Sequence, residues 1–265
     1  MRNNRMKTPL LNAVVLAGAF ALSQTASAGR VILNNDEWTF TDYGFSVAAP
    51  STTTFATNLA SYMNSDGGAC NLLVYSSNFG LTGASLKSAL NGAGCSVTYS
   101  TGAFDLPTLS GYDGVLLAGT QYSYDAATLT SYVNSGHSAY IAGGTADVAV
   151  APNEGTIWDS FTQQYGLDFG LGYNTIIGKL AVAESDPLFA GVSELYFNSG
   201  NTVSVYGSAQ GARIVTTQNG VGLIGVYEGA SERVATQLDV PEPATLALLG
   251  LGLVGLGSSR RRSLN

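Results

Sequence analysis

Three short apolar runs constrain this chain more than any other feature. Residues 71–75 read Asn-Leu-Leu-Val-Tyr, residues 114–118 Gly-Val-Leu-Leu-Ala and residues 139–142 Ala-Tyr-Ile-Ala. A strand with one wet face alternates polar and apolar side chains, whereas a strand covered on both faces does not. Helical patterns separate the runs. Residues 82–91 place Leu86, Ala89 and Leu90 on one face and stop at Gly92 and Gly94. Asp125 can cap a helix carrying Leu129, Tyr132 and Val133 that stops near Gly136. Residues 152–165 read as a helix ended by Gly166, and a helix over 53–63 precedes the first core strand. Residues 96–99 add a β-branched and aromatic strand. Solidly apolar strands alternating with helices predict an α/β fold, a mainly parallel sheet with helices on both faces. After residue 170 the pattern changes to short strands at 175–177, 195–197, 202–206, 213–217 and 221–227.

The two ends are of a different kind. Arg2, Arg5 and Lys7 precede an apolar run over 10–22, and Ala26 and Ala28 form an Ala-x-Ala site before Gly29. Basic start, apolar centre and small residues at the cut predict a secretory signal peptide over 1–28. Residues 29–240 then hold 5 basic and 17 acidic side chains, a net charge of −12. Such a body repels phosphate backbones and anionic lipid, so nucleic acid is not an expected partner. The acids keep an exported domain soluble.

At the other end, residues 244–257 are 14 uncharged residues followed by Arg260, Arg261 and Arg262. As a helix such a stretch spans about 21 Å, against roughly 30 Å of bilayer hydrocarbon. Residues 244–259 therefore suit transient contact with the inner membrane better than permanent anchoring, arginines inward. Pro241, Glu242 and Pro243, then the Leu/Gly-rich stretch, then the arginines, resemble the PEP-CTERM sorting signal. The resemblance covers about the last 26 residues. It implies processing by an exosortase, a membrane protease of Gram-negative bacteria that make extracellular polysaccharide, and delivery to the surface or matrix. An ordinary C-terminal anchor is the alternative. The expected organisation is a leader over 1–28, one α/β domain over 29–228, a stalk over 229–239 and the sorting segment over 240–265, with a terminal apolar helix.

The body, over roughly 70–227, resembles the class I glutamine amidotransferase-like fold, a flavodoxin-like sandwich. The resemblance rests on the strand–helix order and on three phrases, Gly-Tyr-Asp-Gly-Val-Leu-Leu-Ala-Gly (111–119), Tyr-Ile-Ala-Gly-Gly (140–144) and Asp-Pro-Leu-Phe-Ala-Gly (186–191). The segments beginning Asn35-Asp-Glu-Trp-Thr and Ser77-Asn-Phe-Gly-Leu-Thr-Gly are similar to phrases in uncharacterised PEP-CTERM proteins. Amidotransferase chemistry needs a cysteine thiolate on the turn after a strand and a downstream imidazole base. Here the turn holds Gly143, Gly144 and Thr145, and the only histidine, His137, precedes the strand. The resemblance therefore implies the scaffold without the activity.

One histidine and two cysteines exclude a multi-His or four-Cys zinc site, and no cofactor is expected. Asp147, Glu154 and Asp168 are carboxylates that an acid/base pair acting on sugars could use, though sequence does not place them across a bond. Asp36, Glu37 and Asp42 could ligate calcium, without a spaced loop motif behind them. Cys70 and Cys95 stand just before two neighbouring strands of a βαβ unit, 71–75 and 96–99, within disulfide reach, with two buried thiols as the alternative. Open α/β sheets bind ligands at the carboxyl ends of their strands. That rule nominates Asn78, Phe79, Tyr122, Gly143, Gly144, Thr145 and Asp147 as a pocket, where Phe79 or Tyr122 can stack on a sugar. The expected function is a non-catalytic surface or matrix protein that binds extracellular polysaccharide or another protein. The alternatives are an extracellular carbohydrate-active hydrolase or a permanently anchored periplasmic binding domain.

Overall fold

The computed structural model describes residues 29–64, 67–119, 124–183 and 185–229. Its first strand, Arg30–Asn34 (β1), is one that the apolar-run reading passed over, and it is buried from Val31 onward. A 3-10 turn over Glu37–Phe40 leads into Asp42–Val47 (α1) and Ser51–Met63 (α2). Then come Cys70–Val74 (β2), Phe79–Thr82 (α3), Ala84–Gly92 (α4), Cys95–Tyr99 (β3) and Leu106–Leu109 (α5). Gly114–Ala118 (β4), Ala126–Asn134 (α6), Ser138–Ala142 (β5) and Ala151–Thr162 (α7) complete the alternating part. The last third is strands: Leu167–Tyr173 (β6), Ile177–Ala181 (β7), Glu194–Asn198 (β8), Asn201–Val205 (β9), Ala212–Gln218 (β10) and Val221–Glu228 (β11).

Seven strands form one sheet in the order β10-β11-β1-β5-β4-β2-β3. The five from β1 to β3 in that order are parallel, and β11 runs antiparallel to both β1 and β10. Side chains alternate between the two faces of a strand. Ile32, Leu72, Val74, Leu116 and Tyr140 pack beneath α2, α4 and β8. Leu33, Leu73, Val115, Leu117 and Ile141 pack beneath α5, α6 and α7, with Trp158 and Phe161 at the centre. Both faces are covered, which is why the runs carry no polar alternation.

The two short sheets lie on opposite faces. β7 pairs with β8 on the α2 side, and β6 pairs with β9 on the α7 side. The chain passes between them at Ser199 and Gly200, over the end of β1. The passage is so close that a Cβ on Gly200 would sit 1.7 Å from the Asn35 carbonyl oxygen. Only glycine permits it.

Cys70 and Cys95 are the first aligned pair of the parallel β2–β3 ladder, with Cα atoms 4.4 Å apart, and their sulfurs are bonded. Each lies inside its strand rather than before it. A bond across 25 residues stabilises by about 3.5 kcal/mol in the chain-entropy picture.

Several boundaries differ from the sequence reading. The helix expected over 82–91 runs over Ala84–Gly92, starting later because Thr82 ends a separate short turn that Asn78 caps. The helix expected over 152–165 ends at Thr162 and tightens into a 3-10 turn before Gly166. The strand expected at 175–177 begins only at Ile177, because Thr175 takes a left-handed conformation at the turn. β6 was not anticipated. The leader 1–28 and residues 230–265, which include almost all of the stalk and the whole sorting segment, lie outside the described residues. Among the described residues no helix is long and apolar enough to cross a membrane.

Candidate functional site

A cleft of about 620 Å³ opens where β1, β2 and β5 end. Glu37 and Trp38, which follow β1, and Phe79, which follows β2, line it. So do Gly144, Thr145 and Asp147 after β5, Tyr173 of β6, Asn198 at the end of β8 and Ser199 just after it. Of the residues expected to form a pocket, Phe79, Gly144, Thr145 and Asp147 line this cleft. Asn78 stands behind it: its Oδ1 accepts from the Gly80 amide at 2.7 Å, and its amide donates to Glu37. Gly143 lies beneath, donating its N–H to the Asn34 carbonyl at 2.8 Å. Tyr122 lies outside the described residues.

Glu154 fixes the floor. It sits in the first turn of α7 and is fully buried. Its carboxylate accepts from the Gly144 amide at 3.0 Å, the Thr145 amide at 3.1 Å and the Tyr173 hydroxyl at 2.9 Å, and also from the Thr145 hydroxyl. Asn201 adds a further acceptor for the Gly144 amide at 2.9 Å. Gly144 reaches this network with φ +67°, and a Cβ there would meet the Gly200 Cα at 2.7 Å. The turn after β5 is thus closed from beneath by a carboxylate that no sequence motif marks.

Two more buried carboxyls adjoin it. Asp36 accepts from the Trp38 amide at 2.8 Å and from the Asn198 amide, which pins the passage after β8 to the end of β1. Glu37 accepts from Asn78. Burial pushes both carboxyls up to about 7, against the favourable hydrogen bonds they receive, and neighbouring Glu154 adds to the rise in each. No cation offsets them: of the basic side chains among the described residues, Arg30 pairs with Glu228, Arg213 with Asp186 and Lys179 with Glu194, while Lys87 lies over the Tyr99 ring.

The other candidates go elsewhere. Asp42 does not join Asp36 and Glu37; its Oδ1 accepts from the Ser85 amide at 2.8 Å, beside a separate hollow of about 660 Å³ between α2 and α4. Among the described residues no group of three or more His, Cys, Asp or Glu side chains is arranged to hold a metal ion. Asp168 accepts from Gln163 at 3.1 Å and neighbours Asp159, whose carboxyl is raised to about 6 by burial and by Asp168. His137 stacks on Tyr132 at 4.6 Å, at the opposite end of β5 from Thr145. Five residues of strand, roughly 17 Å, separate them, so Thr145 and His137 form no nucleophile–base pair.

Sequence reasoning passed over Trp38, Tyr173, Asn198 and Ser199, and considered Glu37 only as a calcium ligand. The available signal was the phrase Asn35-Asp-Glu-Trp. It directly follows the strand Arg30–Asn34, whose three central residues are Val-Ile-Leu and which a strand reading would have placed with its carboxyl end at this phrase.

Neither the curated proteins nor the solved structures contain a match to this chain, and none supports the amidotransferase-like likeness of its body. Residues 239–262 match the PEP-CTERM protein-sorting motif, which marks a chain exported, processed by an exosortase at the membrane and sorted to the cell surface.

Proposed function

We propose that this chain is a cell-surface or matrix protein whose exported body works by binding rather than by catalysis, with the cleft as a carbohydrate site. One observation carries the non-catalytic reading. In a nucleophile turn the backbone amides must stay free to hold an oxyanion. Here the amides of Gly144 and Thr145 are taken by Glu154, and glycine occupies the turn. The scaffold reading draws support from the strand order β3-β2-β4-β5, which follows the first four places of the flavodoxin-like order, with β1 in the fifth. The domain over 29–228, a stalk and a tail consumed in sorting complete the proposal.

A hydrolase is the second reading, favoured by Glu37: a carboxyl held near 7 that lines a cleft with Asp147 has the properties of a general acid. The test is made on protein from producing cells, cell-bound and released. The released protein should have an intact mass lacking residues 1–28 and everything after about residue 243. It should generate no new reducing ends from the cells' own polysaccharide. A mass retaining Arg260, Arg261 and Arg262 would replace sorting and release with a permanent anchor. Reducing ends that vanish in Glu37→Gln would establish the hydrolase instead.

A further inference from the structure

The cleft's mouth continues as a row of aromatic rings supplied by four separate elements. Phe79 of α3 meets Trp38 with centroids 5.3 Å apart, Trp38 meets Tyr43 of α1 at 6.3 Å, and Tyr43 meets Tyr196 of β8 at 5.1 Å, all edge to face. Phe79 and Tyr43 are 51% and 52% exposed, while most large aromatics of the described residues are buried. Contiguous rings held half out of water mark a surface that something covers. Edge-to-face packing already fixes them, so little rotamer freedom is lost when a ligand arrives.

The polar lining decides what kind of ligand. The acidic side chains lining the cleft are Glu37 and Asp147, and no basic side chain lines it. The described basic side chains are engaged elsewhere, as the ion pairs above show. Thr145, Tyr173, Asn198 and Ser199 add hydroxyl and amide groups suited to a hydroxyl-rich ligand. An anionic polymer is repelled by this lining. An ammonium group gains from the Asp147 carboxylate, from hydrogen bonding to the Glu37 carboxyl and from the rings of Trp38 and Phe79. We infer that the cleft and its aromatic row bind an amine-bearing sugar polymer, a chain of hexosamine units with free amino groups. Sugar faces lie on Phe79 and Tyr43, and an ammonium is drawn to Asp147, beside the Glu37 carboxyl. The inference rests on the reading of the cleft as a carbohydrate site.

The experiment is calorimetric titration of the released protein with four probes at slightly acidic pH and low salt. They are a β-1,4-glucosamine hexamer, its fully N-acetylated form, an oligouronate of the same length and a lysine hexamer. The glucosamine hexamer should bind, acetylation should weaken it at least tenfold, and the uronate should give no heat. Phe79→Ala and Tyr43→Ala should each weaken binding about tenfold, and Asp147→Asn about fivefold. All three side chains are exposed, so their unfolding temperatures should match the parent and a loss of binding is not a loss of fold. Equal affinity for the acetylated hexamer, or binding of the uronate, overturns the amine preference while the carbohydrate site stands. A lysine hexamer that binds as tightly as the glucosamine hexamer overturns the sugar preference. No binding of any saccharide overturns both this inference and the reading beneath it.

Discussion

Glu154 shows how a single residue can organise a site from behind. It lines no part of the cleft, yet it holds the Gly144–Thr145 turn and the Tyr173 hydroxyl in place. Glu154→Ala takes the acceptor from three part-buried donors, the Thr145 amide and hydroxyl and the Tyr173 hydroxyl, while the Gly144 amide keeps Asn201, and each lost acceptor costs roughly 1–3 kcal/mol. Denaturant unfolding should therefore show a loss of at least about 3 kcal/mol; a smaller loss would mean that water replaces the carboxylate. Gly144→Ala should also destabilise, because it adds a Cβ at φ +67° and 2.7 Å from Gly200. The donors were legible in sequence as a glycine turn at a strand's end. Their acceptor was not, because an acid in the first turn of a helix ordinarily faces water and the helix dipole alone explains it.

Asp36 and Glu37 make a second argument at this scale. Their carboxyls rise from ordinary values of 3.8 and 4.5 to about 7 in the folded protein. Between those limits the native state keeps protons that the unfolded chain has released, so stability falls as pH rises from about 4 to about 7. Asp159, raised to about 6, acts in the same direction. Asp42, Asp105 and Asp125 are lowered by their capping hydrogen bonds, and their contribution is lost only on the acid side of 3.8. The unfolding temperature should accordingly be higher at pH 5 than at pH 8. Glu37→Gln, which retains an acceptor for Asn78, should flatten the profile. A melting temperature that climbs from pH 5 to pH 8 would refute the assignment.

Among the elements, the middle of the sheet was readable and its edges and ends were not. β2, β4 and β5 announced themselves because burial on both faces removes every polar alternation from five residues. β1 is as deeply buried, but its short run lies between a leader and the polar segment Asn34-Asn35-Asp36-Glu37, so no helix or turn frames it. β6 hides for a different reason: it carries two glycines, and its last residues are exposed or half-buried. The covalent staple between β2 and β3 has a measurable consequence. β3 is an edge strand, paired only with β2, and four of its five residues are half-buried or exposed, with Cys95 alone buried. Replacing Cys70 and Cys95 with serine should lower stability by about 3–4 kcal/mol and should make β3 amides exchange ahead of those in β4 and β5. Uniform exchange across the sheet would show that β3 is held by packing instead.

At the scale of the molecule, the two ends and the cleft occupy opposite poles. Arg30 faces Glu228 across the β1–β11 ladder, and the Gly229 amide donates to the Gly29 carbonyl at 3.2 Å. The chain therefore enters and leaves the domain side by side, where the parallel strands begin. The cleft lies where they finish, a strand's length away, about 17 Å for five residues. This arrangement also ties the first strand to the last, β1 to β11. Under the proposed processing, the removed leader and tail join the body at Gly29 and beyond Gly229, at the pole away from the cleft. Full-length protein in detergent and the released form should then bind the same ligand with dissociation constants within about twofold, a difference of under 0.5 kcal/mol. Their unfolding temperatures should also agree. A tail that weakens binding tenfold or more would instead mean that residues 230–265 fold back over the cleft, and release would then switch the site on.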